Sequence, residues 1–284
     1  MMSEKGVCAS CLDFNIDKVV KSKNSLKPTW LKDNDYVETF IKNHDLNLKT
    51  PSKYDVEIKV DLGSKFAGKK VLYWAADKNI NHSPLVKLAK NAYNKFENSG
   101  VIKVNKDGKG IFKFDCPQIY RAKRNEKEKL KSYFRHMHFV IEKDNQWDTQ
   151  IYTKIVICKY DYEKFMKQYK KGTTVIINAL PNEYFAKDHI PNSYNLFNKT
   201  IKSMSSEQLL SWFKEVIKLH YPKLNTYIEN NKIELYEIPI ITYCAHEKCN
   251  ASELAIKELM KKGFVNINEY SGGIVDYRLN NPHD

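Results

Sequence analysis

The pattern of apolar residues changes near Cys158, and no single architecture accommodates both halves of the 284-residue chain. From Tyr54 onward the runs "YDVEIKVDL", "KKVLYWAAD", "GVIKV", "GIFKFD", "HMHFVIE" and "QIYTKIVI" place apolar side chains at roughly every second position. Successive side chains on a strand leave opposite faces, so this alternation predicts strands with one buried face and, together, an antiparallel β-sandwich. "NKDGKG" separates two of these runs, and Asp107-Gly108 supplies the positive φ of a hairpin turn. After Cys158 helical and extended patterns alternate. "DYEKFMKQYKKG" reads as a helix ending at Gly172, "TVIINAL" as a buried strand, and "SSEQLLSWFKEVIKLHY" as an amphipathic helix opened by a Ser205/Gln208 capping box. "IPIITYC", the helix "NASELAIKELMKKG" and the strand "FVNINEY" follow, which predicts an α/β domain with a mainly parallel sheet.

Three segments result: a basic, polar N-terminal arm over residues 1–50 with a short helix at "DYVETFIKNH", a β-sandwich over 51–158, and an α/β domain over 159–284. No run approaches the roughly 18 uninterrupted apolar residues of a membrane span, and "MMSEKGVCAS" lacks a signal-peptide core. A soluble, cytoplasmic protein with its six cysteines kept as thiols is the expectation. The net charge of +13 falls almost entirely in the first 160 residues, most densely in "YRAKRNEKEKLK". Glu126 and Glu128 interleave with those cations as on a solvated loop, and no zinc-finger or RNA-binding signature accompanies them, so specific nucleic-acid binding is not expected. "CASC", with Cys8 and Cys11, leaves a zinc ion two ligands short.

Cys244 ends an apolar strand immediately before a helix, the place where open parallel sheets bind ligands. Loop amides and the helix dipole there favour negative charge, so Cys244 is expected to have the lower pKa of the two nearby thiols and to act as nucleophile. Cys249, at the helix start, is a candidate resolving thiol. Around these residues, "NEYFAKDHIPNSYNL", "YCAHEKCNAS" and "GFVNINEYSGGIVDY" resemble the glutamate-tyrosine and histidine-isoleucine-proline segment, the active-site loop and the closing glycine-pair strand of rhodanese domains. The resemblance implies a sulfurtransferase in which Cys244 carries a persulfide inside a cradle of Ala245, His246, Glu247, Lys248 and Cys249. A sulfane-sulfur donor and a thiol acceptor are the implied partners. Asn178, Ala179 and Leu180 replace the family's aspartate-valine-arginine run, and the loop ends in Asn250 rather than a cation, about two residues later than usual. A dianion such as thiosulfate gains little from a loop with no cation.

"RHMHF" sends His136 and His138 from one face of a strand, where both imidazoles can reach one metal. The segment from Val56 to Ile155 resembles the intradiol ring-cleavage dioxygenases: "VLYWAAD", "AYNKF", "DGKGIFKFDCPQIY", "HMHF" and "TQIY" follow that family's order of motifs. By this resemblance Tyr93, Tyr120, His136 and His138 are ligands for ferric iron, Fe(III), and Gln150 lies near the substrate. The family's arginine three residues before the first histidine is replaced by Tyr133, which removes a cation able to stabilise an anionic intermediate. Two functional classes follow: a sulfurtransferase fused to a dioxygenase-like sandwich, or a non-catalytic module built on two enzyme scaffolds that binds a protein partner.

Overall fold

The computed structural model describes residues 35–282 except 82, 124–126 and 128, so "CASC" and the centre of the basic patch lie outside the described residues. Two compact units divide the chain, one running to Val156 and one from Ile157, with residues 83–86 counted in the second.

The first unit opens with helix α1 (Asp35–Asn43), which is part of its core rather than of a free arm. Val37 and Ile41 are buried, and the Phe40 ring stacks on Phe96 with centroids 4.2 Å apart. Strands β1 (Val56–Asp61), β2 (Lys70–Ala75) and β3 (Lys87–Leu88) lead to helix α2 (Ala89–Tyr93). Then follow β4 (Ser99–Lys103), β5 (Lys109–Phe114), β6 (Tyr120–Ala122), β7 (Lys131–Tyr133), β8 (His136–Lys143), β9 (Gln146–Trp147) and β10 (Tyr152–Ile155). The main sheet runs β10-β8-β2-β4 with β9 on β8, all antiparallel. An antiparallel β1–β5 ribbon faces it: Phe112 meets Tyr73 at 4.8 Å and Phe139 at 5.5 Å.

Three expectations need correction. The Asp107-Gly108 turn forms, with Gly108 at φ 76° and its N–H donating to Asn105 O at 2.9 Å, but it does not join a hairpin. Beyond it β4 pairs with β2 and β5 pairs with β1, because each finds a longer ladder away from its neighbour in sequence. The third, small sheet β3-β6-β7 contains a parallel pair, β3 with β6, so the unit is not wholly antiparallel. The expected thiols are also corrected: Cys116 and Cys158 are each disulfide-bonded, while Cys244 and Cys249 are free. Bond formation depends on how the fold places Cβ atoms, which spacing along the chain does not reveal.

The second unit contains β11 (Lys159–Tyr160), α3 (Tyr162–Tyr169), β12 (Val175–Asn178), α4 (Asn182–Phe185), β13 (Tyr194–Asn195), α5 (Asn198–Ser203), α6 (Ser206–His220) and α7 (Pro222–Glu229). It ends with β14 (Ile240–Tyr243), α8 (Ala251–Lys261), β15 (Ile267–Tyr270) and α9 (Gly273–Asn280). The sheet is parallel throughout, in the order β11-β15-β14-β12-β13. Alternation assigns its two faces. Ile177, Ile240 and Ile267 sit in one core with Phe213, Ile217 and Ile256 of the covering helices, while Tyr243 and Tyr270 join Phe165 and Tyr277 in another. The capping box on α6 is complete: Gln208 N donates to Ser205 Oγ at 3.1 Å and Ser205 N to Gln208 Oε1 at 2.7 Å.

Candidate functional site

The first unit brings together all four side chains singled out as ligands. Tyr93 ends α2, Tyr120 starts β6, and His136 and His138 leave one face of β8. Tyr120 Oη lies 2.7 Å from His136 Nε2, Tyr93 Oη 3.0 Å from His138 Nε2 and 3.4 Å from His136 Nε2, and the two phenols are 3.3 Å apart. Each is at most 1 % exposed, so these polar atoms have exchanged water for one another. The outer nitrogens are held. His136 Nδ1–H donates to Phe134 O at 2.6 Å, which fixes the tautomer and turns the Nε2 lone pair inward, and His138 Nδ1 shares a 2.7 Å hydrogen bond with Thr153 Oγ1. Burial lowers both imidazole pKa values, His136 to about 4 and His138 well below the usual value, so both rings stay neutral.

This donor set fits a first-row cation. With metal–ligand distances of about 2.0–2.1 Å, neighbouring donors stand roughly 2.9–3.3 Å apart, close to the spacings found here. Phenolate and neutral imidazole are hard-to-borderline ligands suited to a trivalent iron. Among the described residues, no three His, Cys, Asp or Glu side chains gather as a metal cluster, and this group relies on tyrosines for half its donors. Tyr133, standing where the resemblance expected an arginine, stacks on Tyr120 with centroids 5.6 Å apart and closes that side with an uncharged ring. Gln150 is half-buried, and its amide donates to the Ile151 carbonyl at 3.3 Å rather than to any of the four.

In the second unit Cys244 follows β14 directly and is 2 % exposed. Its neighbours differ from the expected ring of amides. The Sγ atom lies 3.3 Å from Cys249 O, 3.9 Å from His246 O and 3.4 Å from Ser252 Oγ, with the Ser252 N–H also directed at it. Carbonyls stabilise the thiol by accepting its proton and give nothing to a thiolate. Desolvation first, and the adjacent Cys249 thiol second, push Cys244 up to about 11, while the Ser252 N–H pulls the other way. The expected depression is therefore corrected. The longer loop curls His246 and Cys249 carbonyls inward, which sequence spacing does not show.

The rest of the loop is held from outside. Ile274 N donates to Cys244 O and Val275 N to Ala245 O, each at 3.0 Å, so the first turn of α9 satisfies the loop's outward carbonyls. Gly273, at φ 64°, makes this approach feasible, since a Cβ there meets Cys244 O at 2.4 Å. His246, Glu247 and Lys248 are exposed and Cys249 is half-buried. Asn178, standing where the family carries a charge, accepts from Leu180 N at 2.9 Å and so shapes the end of β12 without charge. Sequence reading missed Ser252 and Glu269. A glutamate inside the buried strand "FVNINEY" was the available signal.

Residues 161–280 match the family model described as "Rhodanese-like domain". No curated protein matches the chain. Among solved structures, a protein from Bacillus halodurans is 21 % identical, covering 43 % of this chain and 72 % of its own, with a TM-score of 0.30. A human single-domain sulfurtransferase is 13 % identical over 42 % of this chain and 93 % of its own, TM-score 0.27. A Saccharomyces cerevisiae single-domain sulfurtransferase is 14 % identical over 48 % and 97 %, TM-score 0.32. Among the described residues, no helix is long and apolar enough to cross a membrane. The second unit of this chain carries a rhodanese-like domain with a parallel sheet.

Proposed function

We propose that the chain is a sulfurtransferase acting through Cys244. The observation that carries this reading is the position of the Cys244 sulfur. It sits at the carboxyl end of a parallel strand, against the hydroxyl and N–H of Ser252 at the start of α8, within the span that matches the rhodanese-like model. The Cys244 thiolate attacks the outer sulfur of a donor such as thiosulfate. The new S–S bond forms as the S–SO3 bond breaks, sulfite leaves with the electron pair, and an acceptor thiolate then removes the sulfur from the persulfide. No basic side chain hydrogen-bonds the Cys244 sulfur among the described residues, so slow turnover with thiosulfate and faster turnover with a polysulfide are expected. Mass spectrometry after incubation with each donor tests this. One added sulfur is expected on Cys244, abolished in Cys244→Ser and largely retained in Cys249→Ser. No addition with either donor, or addition on Cys249, favours a non-catalytic module that binds a protein partner.

A second reading concerns the first unit, where we infer a ferric site held by Tyr93, Tyr120, His136 and His138. It is supported by the convergence of four buried donors, with the His136 Nε2 lone pair turned inward. The bound ion supplies Lewis-acid and redox chemistry, while the protein's own groups fix the histidine tautomer and exclude water. Ring cleavage is the less favoured activity, because Tyr133 presents no cation to an anionic intermediate. Protein grown with ample iron is expected to show a visible tyrosinate charge-transfer band that weakens in Tyr120→Phe. Elemental analysis finding no metal overturns this reading.

A further inference from the structure

Glu269 is a buried acid that the sulfur-transfer reading leaves without a task. It lies on β15, is 3 % exposed, and is the only charged residue of that strand's buried tetrad Ile267–Tyr270. Register places Lys159 of β11 on one side of it and Thr242 of β14 on the other. Thr242 and the following Cys244 share a face of the sheet by alternation, so the glutamate lies in the polar row beneath the reactive thiol. Ser252 of α8 connects the two: its hydroxyl donates to Glu269 Oε1, while the same oxygen is 3.4 Å from Cys244 Sγ. A hydroxyl that gives its only proton to a carboxylate has lone pairs left to accept one from the thiol, whose S–H turns from the Cys249 carbonyl at 3.3 Å to the Ser252 oxygen at 3.4 Å.

We propose that Glu269 accepts the Cys244 proton through the Ser252 hydroxyl as the sulfur attacks its donor. This rests on the sulfurtransferase reading for its purpose but not for its geometry. The Cys244 S–H bond breaks as its proton passes to Ser252 Oγ, and the Ser252 proton passes to Glu269 Oε1. The balance is a thiol and a carboxylate converted to a thiolate and a carboxylic acid, with no change in net charge and no oxidant or reductant. Among the described residues, three charged or titratable groups flank the pair. Lys159 Nζ stands 3.3 Å from Glu269 Oε2 and 3.0 Å from Glu253 Oε1, and the Cys249 thiol lies beside Cys244. Lys159 offsets the charge of the carboxylate while leaving the Ser252 link in place.

An isolated thiol and a relayed one differ in how reactivity depends on pH. Without a relay, alkylation of a thiol below its pKa rises about tenfold per pH unit. With a carboxylate accepting the proton, the reactive population is constant between the ionisation of the acid and that of the thiol. The experiment is iodoacetamide alkylation of Cys244 in the full chain between about pH 5.5 and 7.5, read by peptide mass spectrometry. The native protein is expected to give a nearly flat profile. Glu269→Gln, which keeps an acceptor for Ser252 but no base, is expected to rise with unit slope and to react at least tenfold more slowly at the acid end. Ser252→Ala is expected to show the same slope. A native profile of unit slope overturns the relay without any variant. So does faster alkylation in Glu269→Gln, since a carboxylate acting only as a repelling charge slows thiolate formation. Sulfur uptake separates the two readings: uptake on Cys244 with no flat region removes the relay alone, and a flat region without uptake removes the sulfurtransferase alone.

Discussion

Replacing Gly273 by alanine tests how the Cys244 loop is held, because two separable penalties meet there. The first is conformational. Gly273 has φ 64°, and a non-glycine residue in the left-handed region costs roughly 1–2 kcal/mol. The second is steric: the added Cβ stands 2.4 Å from Cys244 O and 2.8 Å from both the carbonyl carbon and oxygen of Ala245. These are backbone atoms pinned by Ile274 N and Val275 N, so the loop or α9 must move by about an ångström, and overpacking of this kind costs roughly 1–3 kcal/mol. Gly172 isolates the first penalty, since it has φ 63° and nothing within 4 Å of its Cβ position. Gly172→Ala is therefore expected to lose only the conformational share, and Gly273→Ala to lose a further amount of about 1–3 kcal/mol. Hydrogen exchange of peptides covering Ile240–Tyr243 reads the opening free energy of the second unit without mixing in the first. The exchange of Gly273→Ala should exceed that of Gly172→Ala by roughly 5- to 150-fold. Equal exchange in the two variants refutes the argument that the glycine is required by its contact with the Cys244 loop.

Thr153→Val removes the hydroxyl that holds His138 Nδ1 while keeping the shape of the side chain. Loss of such an outer partner typically lowers metal affinity about 10- to 100-fold, so competition with a chelator should strip iron from this variant first, and unchanged retention counts against a role for Thr153. The pH dependence of the second unit carries a contribution from Cys244, whose pKa is raised to about 11 chiefly by burial. A raised acid pKa means that the folded state holds the proton longer. This stability is present below the ordinary thiol range of about 8.5 and is lost as pH rises through the folded value. The urea midpoint of the native protein should fall more steeply than that of Cys244→Ser between about pH 9 and 11, and parallel curves would remove Cys244 as the source.

The chain's own pattern determined much of this architecture, for local reasons. Period-two alternation specifies β1, which buries one face, whereas β2 and β8 form as expected but are buried on both faces; the Ser205/Gln208 capping box fixes the start of α6, because it depends on residues within a few positions of one another. Two tyrosines and a histidine pair came together as a ligand set only through the resemblance to the intradiol dioxygenases, while the two-residue spacing of His136 and His138 placed them on one face of β8. Everything decided by distant partners was not legible. The Asp107-Gly108 turn is encoded locally, yet β4 and β5 separate because each gains more from pairing with β2 or β1. The thiol environment of Cys244 depends on which way the His246 and Cys249 carbonyls point, a matter of loop closure against α9. The link from Cys244 through Ser252 to Glu269 and Lys159 joins residues as much as 110 positions apart, counted from Lys159 to Glu269. Sequence specifies periodicity, and periodicity fixes which face a side chain takes. Only the parallel stacking of β11, β15 and β14 brings those faces together into one polar row beneath a sulfur atom.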